Sequence, residues 1–353
     1  MAVRTFCENI INAYTYCDQV EAIYTYGELV WPTGPHPGAN WYVDWTPTSL
    51  SGSFNMYGPD RMENYYGHYT WSVLYSGSKA VITPEAWQST GMVYMETNGR
   101  YILDSAFQSC SSMTMASMSR CREIYTRAFF TDRSLREVYL PVCQFIGTQA
   151  FDTCDLSFVD LPRCSWISYF GFANNHNMSY ASLPVCQFID SYGFAYNSNL
   201  QYISLPACSS TGVEVFKSCR SLSWAYLPVM EQLNAGIFEG CYALSSVYAP
   251  IVSSTVGREF LSCSALSSID LPECKVIGER TFGHCVNLSD VSLPKCEIVY
   301  TSAFVGCDSL SYIDLPACKN LFGACFLSCS NCCLFHIFII IRRTKIYWQI
   351  TQI

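Results

Sequence analysis

The sequence predicts a solenoid of about eleven stacked coils with one parallel strand per coil, preceded by a small β-rich N-terminal domain. Three observations predict it. A phenylalanine recurs at 107, 129, 151, 172, 194, 216, 238, 260, 282, 304 and 326, every step being 22 residues except one of 21. A proline recurs at 141, 162, 184, 206, 228, 250, 272, 294 and 316, with the same step and the same single deletion. An aliphatic column five residues before the phenylalanine keeps phase with both, as at Ile102, Ile124, Ile146, Ile167, Ile189, Leu233 and Ile277. Self-similarity at a fixed period of this size marks repeat architectures, where stacked neighbours bury what one unit cannot.

Residues 1–97 hold no copy of the unit. Five of the eight tryptophans lie here (Trp31, Trp41, Trp45, Trp71, Trp87), with a turn-rich run from Trp31 to Gly38. Two hairpins are expected: Tyr69–Tyr75 against Lys79–Thr83 across Ser76-Gly77-Ser78, and Gly91–Glu96 against Arg100–Leu103 across Asn98-Gly99. Asn-Gly is the strongest short hairpin turn. The region reads as a β-rich cap or attachment domain, an aromatic-rich ligand-binding module being the alternative. Met1 to Tyr16 lacks a basic region followed by an uninterrupted apolar core, so no conventional secretory signal is visible.

The array is expected over residues 98–338, with 339–353 as a C-terminal tail. In Leu266, Ile269 and Leu271 the spacing ends in strand alternation, which puts Ile269 and Leu271 on one face. The proline that follows ends regular pairing and turns the chain out of the strand. The phenylalanine fills the centre of the coil, against its equivalents above and below. The apolar stretch Leu334–Ile341 before Arg342-Arg343 is too short to span a bilayer. It reads as a terminal strand, a C-terminal membrane anchor being the alternative.

The pattern L-x-x-I-x-L-P-x-C-x-x-I-G-x-x-A-F-x-x-C, seen in Leu135–Cys154 and Leu266–Cys285, resembles the BspA-like leucine-rich repeat. The resemblance covers about 98–338 and implies a leucine-rich-repeat solenoid. It also implies a cell-surface or extracellular place, in a family of surface proteins of bacteria and protists that mediate adhesion. Residues 1–97 fall outside it.

The chain carries 21 cysteines, and sixteen of them follow the repeat. One column stands two residues after the proline and gives way to Met230 and Val252. The other stands three residues after the phenylalanine and gives way to Asp132, Asn175 and Asn197. Interchange with Asn points to a side chain that bonds backbone within a turn, so buried free thiols are expected rather than a disulfide framework. Cys325, Cys329, Cys332 and Cys333 resemble a zinc cluster, but repeat phase explains Cys329 and Cys332 as column positions and Cys325 as a replaced alanine. No metal and no cofactor are expected.

A formal charge of −8 gives no electrostatic footing for nucleic acid or an anionic membrane. No phosphate-cradling glycine loop, paired catalytic carboxylates or nucleophile elbow appears, and the five histidines are scattered, so the chain is not expected to be an enzyme. The strand residues that face away from the core form two columns. One runs Glu137, Phe158, Tyr180, Tyr202, Trp224, Ser246, Ser268, Asp290, Tyr312, and the other Tyr139, Asp160, Ser182, Ser204, Tyr226, Tyr248, Asp270, Ser292, Asp314. Phe158, Tyr180, Tyr202, Trp224, Tyr226 and Tyr248 therefore gather mid-array among Ser and Asp. That composition suits recognition of a protein or a glycan. Adhesion or receptor binding through this face is one expectation; a structural spacer of a virion or cell-surface layer is the other.

Overall fold

The computed structural model describes residues 100–102, 104–111 and 113–329 in full, and the backbone of six short strands between residues 23 and 96. The described strands near the N-terminus include two antiparallel pairs, Ile23–Thr25 with Glu28–Val30 and Tyr42–Trp45 with Phe54–Tyr57. The expected strand Tyr69–Tyr75 and the segment Leu334–Ile341 lie outside the described residues, as do Cys332 and Cys333.

From Tyr94 onward the coils share the same parts, the coil of Tyr312 keeping only a bridge at Asp314 in place of the longer strand. In one of them a three-residue strand, Glu137–Tyr139, is followed by a corner at Pro141, a two-residue strand, Phe145–Ile146, and a double turn around Phe151. The three-residue strands are the ones the repeat predicts. They pair in parallel from coil to coil, for example Phe158–Asp160 on Tyr180–Ser182, and Tyr202–Ser204 on Trp224–Tyr226 on Ser246–Tyr248. The two-residue strands are an addition, built on the aliphatic column. They pair in parallel without a break from Val81–Ile82 to Ser210–Thr211, and again from Gln232–Leu233 to Asn320–Leu321. From Tyr101–Ile102 to Ile298–Val299 the second residue is buried, as at Ile146, Ile167 and Ile189.

The expected hairpin across Asn98-Gly99 is not formed. Tyr94–Glu96 pairs in parallel with Met115–Ser117, and Tyr101–Ile102 pairs in parallel with both Val81–Ile82 and Glu123–Ile124. The reason is phase: the two segments are the first and second strands of a single coil. In sequence, Asn98-Gly99 falls between them, in the stretch where later coils place Leu-Pro. A local turn signal cannot tell a corner that feeds a neighbouring ladder from one that closes a hairpin. Val81–Ile82, expected in the other hairpin, joins the parallel ladder for the same reason.

The core is a file of rings. Phe107 to Phe304 are fully buried, Phe326 nearly so, and each ring stacks on the next. The centroid separations run from 4.9 Å (Phe129–Phe151) to 5.9 Å (Phe194–Phe216), with near-parallel planes. The step of 21 between Phe151 and Phe172 leaves the stack intact at 5.1 Å. The missing residue falls in the short corner from Cys154 to Leu156, so strand register is undisturbed. Each buried ring contributes about 1.5–3 kcal/mol by area, and a well-placed aromatic pair about 0.5–1.5 kcal/mol more.

Backbone geometry holds the file in line. The residues two before and two after each phenylalanine adopt positive φ, as at Gln149 (55°) and Thr153 (61°) around Phe151. Alternating the hand of the backbone in this way turns the N–H groups of Gln149, Phe151 and Thr153 in one direction. They donate to the next coil at Tyr169 O (2.8 Å), Gly171 O (2.9 Å) and Ala173 O (3.1 Å). The pattern repeats along the array, for example from Phe216 to Ile237 (2.9 Å) and from Phe282 to Ala303 (2.8 Å). Nineteen of these left-handed positions carry residues other than glycine, although each costs about 1–2 kcal/mol. The ladder outweighs that cost because an unpaired buried peptide group would cost about as much again.

The second cysteine column completes the turn. Cys241, Cys263, Cys285 and Cys307 donate S–H to the carbonyl of the phenylalanine one coil back, at 3.1, 3.2, 3.1 and 3.0 Å. Where Asn replaces Cys, Asn175 Nδ2 reaches Phe151 O at 2.8 Å and Asn197 Nδ2 reaches Phe172 O at 3.0 Å. The interchange of Cys and Asn is therefore an interchange of donors. The other column bonds locally, as Cys143 Sγ to Phe145 O at 3.4 Å. The seventeen cysteines among the described residues are buried and unbridged.

Asp132 stands in the donor column and, when ionised, has nothing to donate. One of its oxygens accepts the Cys110 N–H, the other has no partner, and burial pushes its carboxyl up to about 8. A carboxyl whose folded pKa lies above its unfolded value binds its proton more tightly in the folded chain. The associated stability is complete below about pH 4 and is lost as pH rises towards 8. Asp132→Asn should therefore raise the Tm at pH 8 while changing it little at pH 4; thermal melts across that range measure it, and a lower Tm at pH 8 would contradict the donor assignment. The left-handed positions give a second test. Ser262→Gly should stabilise by about 0.5–1 kcal/mol, the relief of strain outweighing the added chain entropy. Gly240→Ala should cost about 1–2 kcal/mol in urea unfolding, since φ is +74° there and a Cβ would lie 3.2 Å from Ser218 Oγ.

Candidate functional site

The surface with the most unusual chemistry is the outward side of the three-residue strands. Alternation sets it: the middle residue of each strand turns inward, as Val159, Ala181, Ile203 and Ala225 do, and the residues on either side turn outward. Parallel pairing then brings equivalent residues side by side. Phe158 lies in register with Tyr180, Tyr202 with Trp224, and Tyr226 with Tyr248. Two aromatic groups result. Tyr180 and Tyr202 have centroids 5.3 Å apart at a tilt of 48°. Trp224 stacks on Tyr226 at 5.7 Å, and Tyr226 on Tyr248 at 5.2 Å. All six residues singled out in the sequence share this face, with graded exposure. Tyr202, Trp224 and Tyr248 are 41%, 38% and 49% exposed, whereas Phe158, Tyr180 and Tyr226 are half-buried.

Hydroxyls and carboxylates surround the rings. Ser179, Ser223, Ser245 and Ser289 stand at the strand entries, each hydroxyl bonding a carbonyl one coil back. Burial raises the carboxyl of Asp160, opposed by a hydrogen bond from the Ser182 side chain, and burial raises Glu137 as well. Partial burial, and then Tyr180 beside it, raise the Tyr202 phenol. Towards the C-terminal coils the face turns acidic, with Asp270, Asp290 and Asp314 exposed.

The family profile described as BspA type leucine rich repeat region matches residues 87–156, 122–245 and 254–344, in six copies. The chain belongs to the BspA-type leucine-rich repeat family. Among solved structures, a leucine-rich repeat protein from Bacteroides ovatus is similar at 20% identity, over 89% of this chain and 93% of that one, with a TM-score of 0.51. That likeness speaks for the fold. A leucine rich cell surface protein from Faecalibacterium prausnitzii is 18% identical over 73% of this chain and 84% of that one, with a TM-score of 0.46. The pneumococcal vaccine antigen PcpA is 17% identical over 69% and 62%, with a TM-score of 0.44. Comparison with curated proteins gave no match.

On this BspA-type array the structure adds features that the sequence columns did not bring out. The outward residue of the two-residue strand forms a second aromatic set. There Trp166 lies 4.4 Å from Phe188 and Phe145 lies 6.1 Å from Tyr125. On the double turn, Tyr169, Phe170 and Tyr192 contact one another, with Phe170 and Tyr192 stacked at 4.7 Å. The position just before each aliphatic-column residue was the signal for the first set. Alongside, Lys217 pairs with Glu214 (2.6 Å) and Glu239 (3.1 Å), and Arg258 with Glu214 (3.5 Å) and Glu239 (3.4 Å). Gly236 leaves room for this knot, since a Cβ there would lie 2.9 Å from Glu214 Cγ. Two acids and two bases neutralise one another, so the knot ties coils together. Glu259 is buried and also satisfied, accepting from the N–H groups of Val256 and Gly257 (2.5 Å each) and from Thr281 Oγ1 (2.9 Å).

Among the described residues, the cysteines and histidines do not form a reactive centre. Burial pushes the Cys121 and Cys219 thiols up to about 12, and those of Cys241, Cys263 and Cys285 well above the ordinary thiol value. Thiols held neutral in this way are poor nucleophiles and poor metal ligands. His176 and His284 are exposed turn residues; His284 occupies a left-handed position and His176 Nδ1 lies 2.8 Å from Tyr196 O. His36, His68 and His336 lie outside the described residues.

Proposed function

We propose that this chain is a non-enzymatic binding protein, a surface adhesin or receptor-binding component that holds a protein or glycan on the strand face. Membership of the BspA-type leucine-rich repeat family supports a protein-binding or surface role. The observation that carries the reading is the exposure of Tyr202, Trp224 and Tyr248 on one continuous sheet face. Burying these rings among themselves would have been the cheaper course for folding. Tyr and Trp supply large contact area at little cost in conformational entropy, which is why they dominate the energetics of interfaces. The ladder beneath them is rigid, so the rings are presented without ordering cost on binding. A site of this kind recognises through contact area and needs no titrating group, in keeping with thiols held neutral and the Glu259 carboxylate satisfied within the fold.

Tyr202→Ala combined with Trp224→Ala tests the site. Labelled full-length protein, presented to a glycan array and to a panel of immobilised extracellular-matrix proteins, should lose at least tenfold in binding at an unchanged Tm, each removed anchor being worth about 1–2 kcal/mol or more. Unchanged binding would remove the strand face from consideration. Excising two 22-residue periods in phase, residues 201–244, separates recognition from a spacer role. A stacked array refolds across such a cut; a spacer keeps its activity, and a binding face loses it.

A further inference from the structure

We infer that the segment held on the strand face is an extended polypeptide carrying Lys or Arg side chains, lying along the solenoid axis between Tyr202 and Asp314. The inference rests on the strand face being the binding face. It follows from how the chain places its charges. From Ser157 to Asp314, neither outward column of the three-residue strands, nor the strand-entry column beside them, contains a Lys or Arg. Acids are present: Asp160 mid-array, then Asp270, Asp290 and Asp314 on successive coils.

The contrast with the other faces is specific. There several acids are matched across coils by bases: Glu273 with Lys295 at 2.6 Å, Glu297 with Lys319 at 2.6 Å, and the four-charge knot around Gly236. Asp270, Asp290 and Asp314 are exposed and pair with no base among the described residues. Register sets them in a zigzag, Asp270 beside Ser292, Ser292 beside Asp314, and Asp290 beside Ser268 in the neighbouring column. Three carboxylates on consecutive coils repel one another and form no ion pair among the described residues. Their field is directed outward, over the end of the aromatic strip: Tyr248 occupies the same column as Asp270, one coil before it.

A cation fits both halves of such a surface. Arg and Lys side chains stack over Tyr and Trp faces, and they pair with carboxylates. A neutral glycan would use the rings and leave the acids idle, and an anionic one would be repelled. Six coils, from that of Tyr202 to that of Tyr312, span five steps of about 4.8 Å, or about 24 Å. An extended chain covers that distance with about seven residues.

Fluorescence anisotropy on the full chain tests this with three labelled nonapeptides. One alternates Arg with Gly and Ser for a net charge of +4, one has Gln in place of each Arg, and one has Glu. The Arg peptide should bind, at least tenfold more tightly than the Gln peptide, and should weaken severalfold between 50 and 300 mM NaCl. The triple variant Asp270→Asn, Asp290→Asn, Asp314→Asn should lose at least tenfold at an unchanged Tm. Failure of the Arg peptide to bind would overturn the inference. So would equal binding of the Gln peptide together with a neutral effect of the triple variant. If, in either case, a glycan array or a neutral protein still registers Tyr202→Ala with Trp224→Ala, the strand face stands and only its ligand class is wrong. If neither set of variants changes any binding, the strand-face reading falls as well.

Discussion

A phenylalanine at the centre of one coil can be buried only by the phenylalanines of the coils on either side. Within its own coil, Phe216 has a strand ahead of it and a turn around it, but the faces of its ring meet Phe194 and Phe238, at 5.9 and 5.7 Å. The rest of the chain serves this stacking. The inward residue of each strand fills the space around the ring. The proline corner returns the chain so that the next coil begins directly above the last. The left-handed pair around each phenylalanine aims three N–H groups along the stack. No coil is stable alone, and the array gains cohesion only as neighbours are added.

The same constraint decides which residues the donor column inside the array accepts. A position that must give a hydrogen to the carbonyl one coil back can be Cys or Asn, because both are compact and both donate. Glu259 enters the core at a position that elsewhere holds Ala, Gly, Val, Ile, Thr or Cys only because two backbone N–H groups and Thr281 are aimed at it. With interior and turn committed to stacking, the outward strand residues are the ones left free to vary. There alternation frees every second side chain without disturbing the core. The aromatic strip and the acidic end of the face both use that freedom.

Much of this was readable in the order of residues. The columns of Phe, Pro and Ile announce both the stack and its period, and alternation around Ile203 and Ala225 places Tyr202, Trp224 and Tyr226 outward before any coordinates are considered. The left-handed pairs were not readable, because most of them are occupied by residues such as Ser, Arg, Gln, Thr and Tyr, and only Asn174, Gly236, Gly240 and Gly306 are of the types that usually mark positive φ. The stack imposes the conformation there, and composition does not show it. Asn98-Gly99 misled for the converse reason: its turn preference is real, but the ladder decides what the turn connects. The unpaired state of Asp270, Asp290 and Asp314 also needed the fold, since only coil-to-coil register shows which charges find partners.

Native-state amide exchange tests the dependence on stacking most directly. If coil-to-coil contacts hold the array, the amides of Phe194, Phe216 and Phe238, which donate to Val215, Ile237 and Glu259, should exchange only through large-scale unfolding. They should share one protection level that falls off together in denaturant. Fast exchange of the Phe216 amide beside a protected Ile203 would mean that the strands alone hold the chain and that the aligned turns do not.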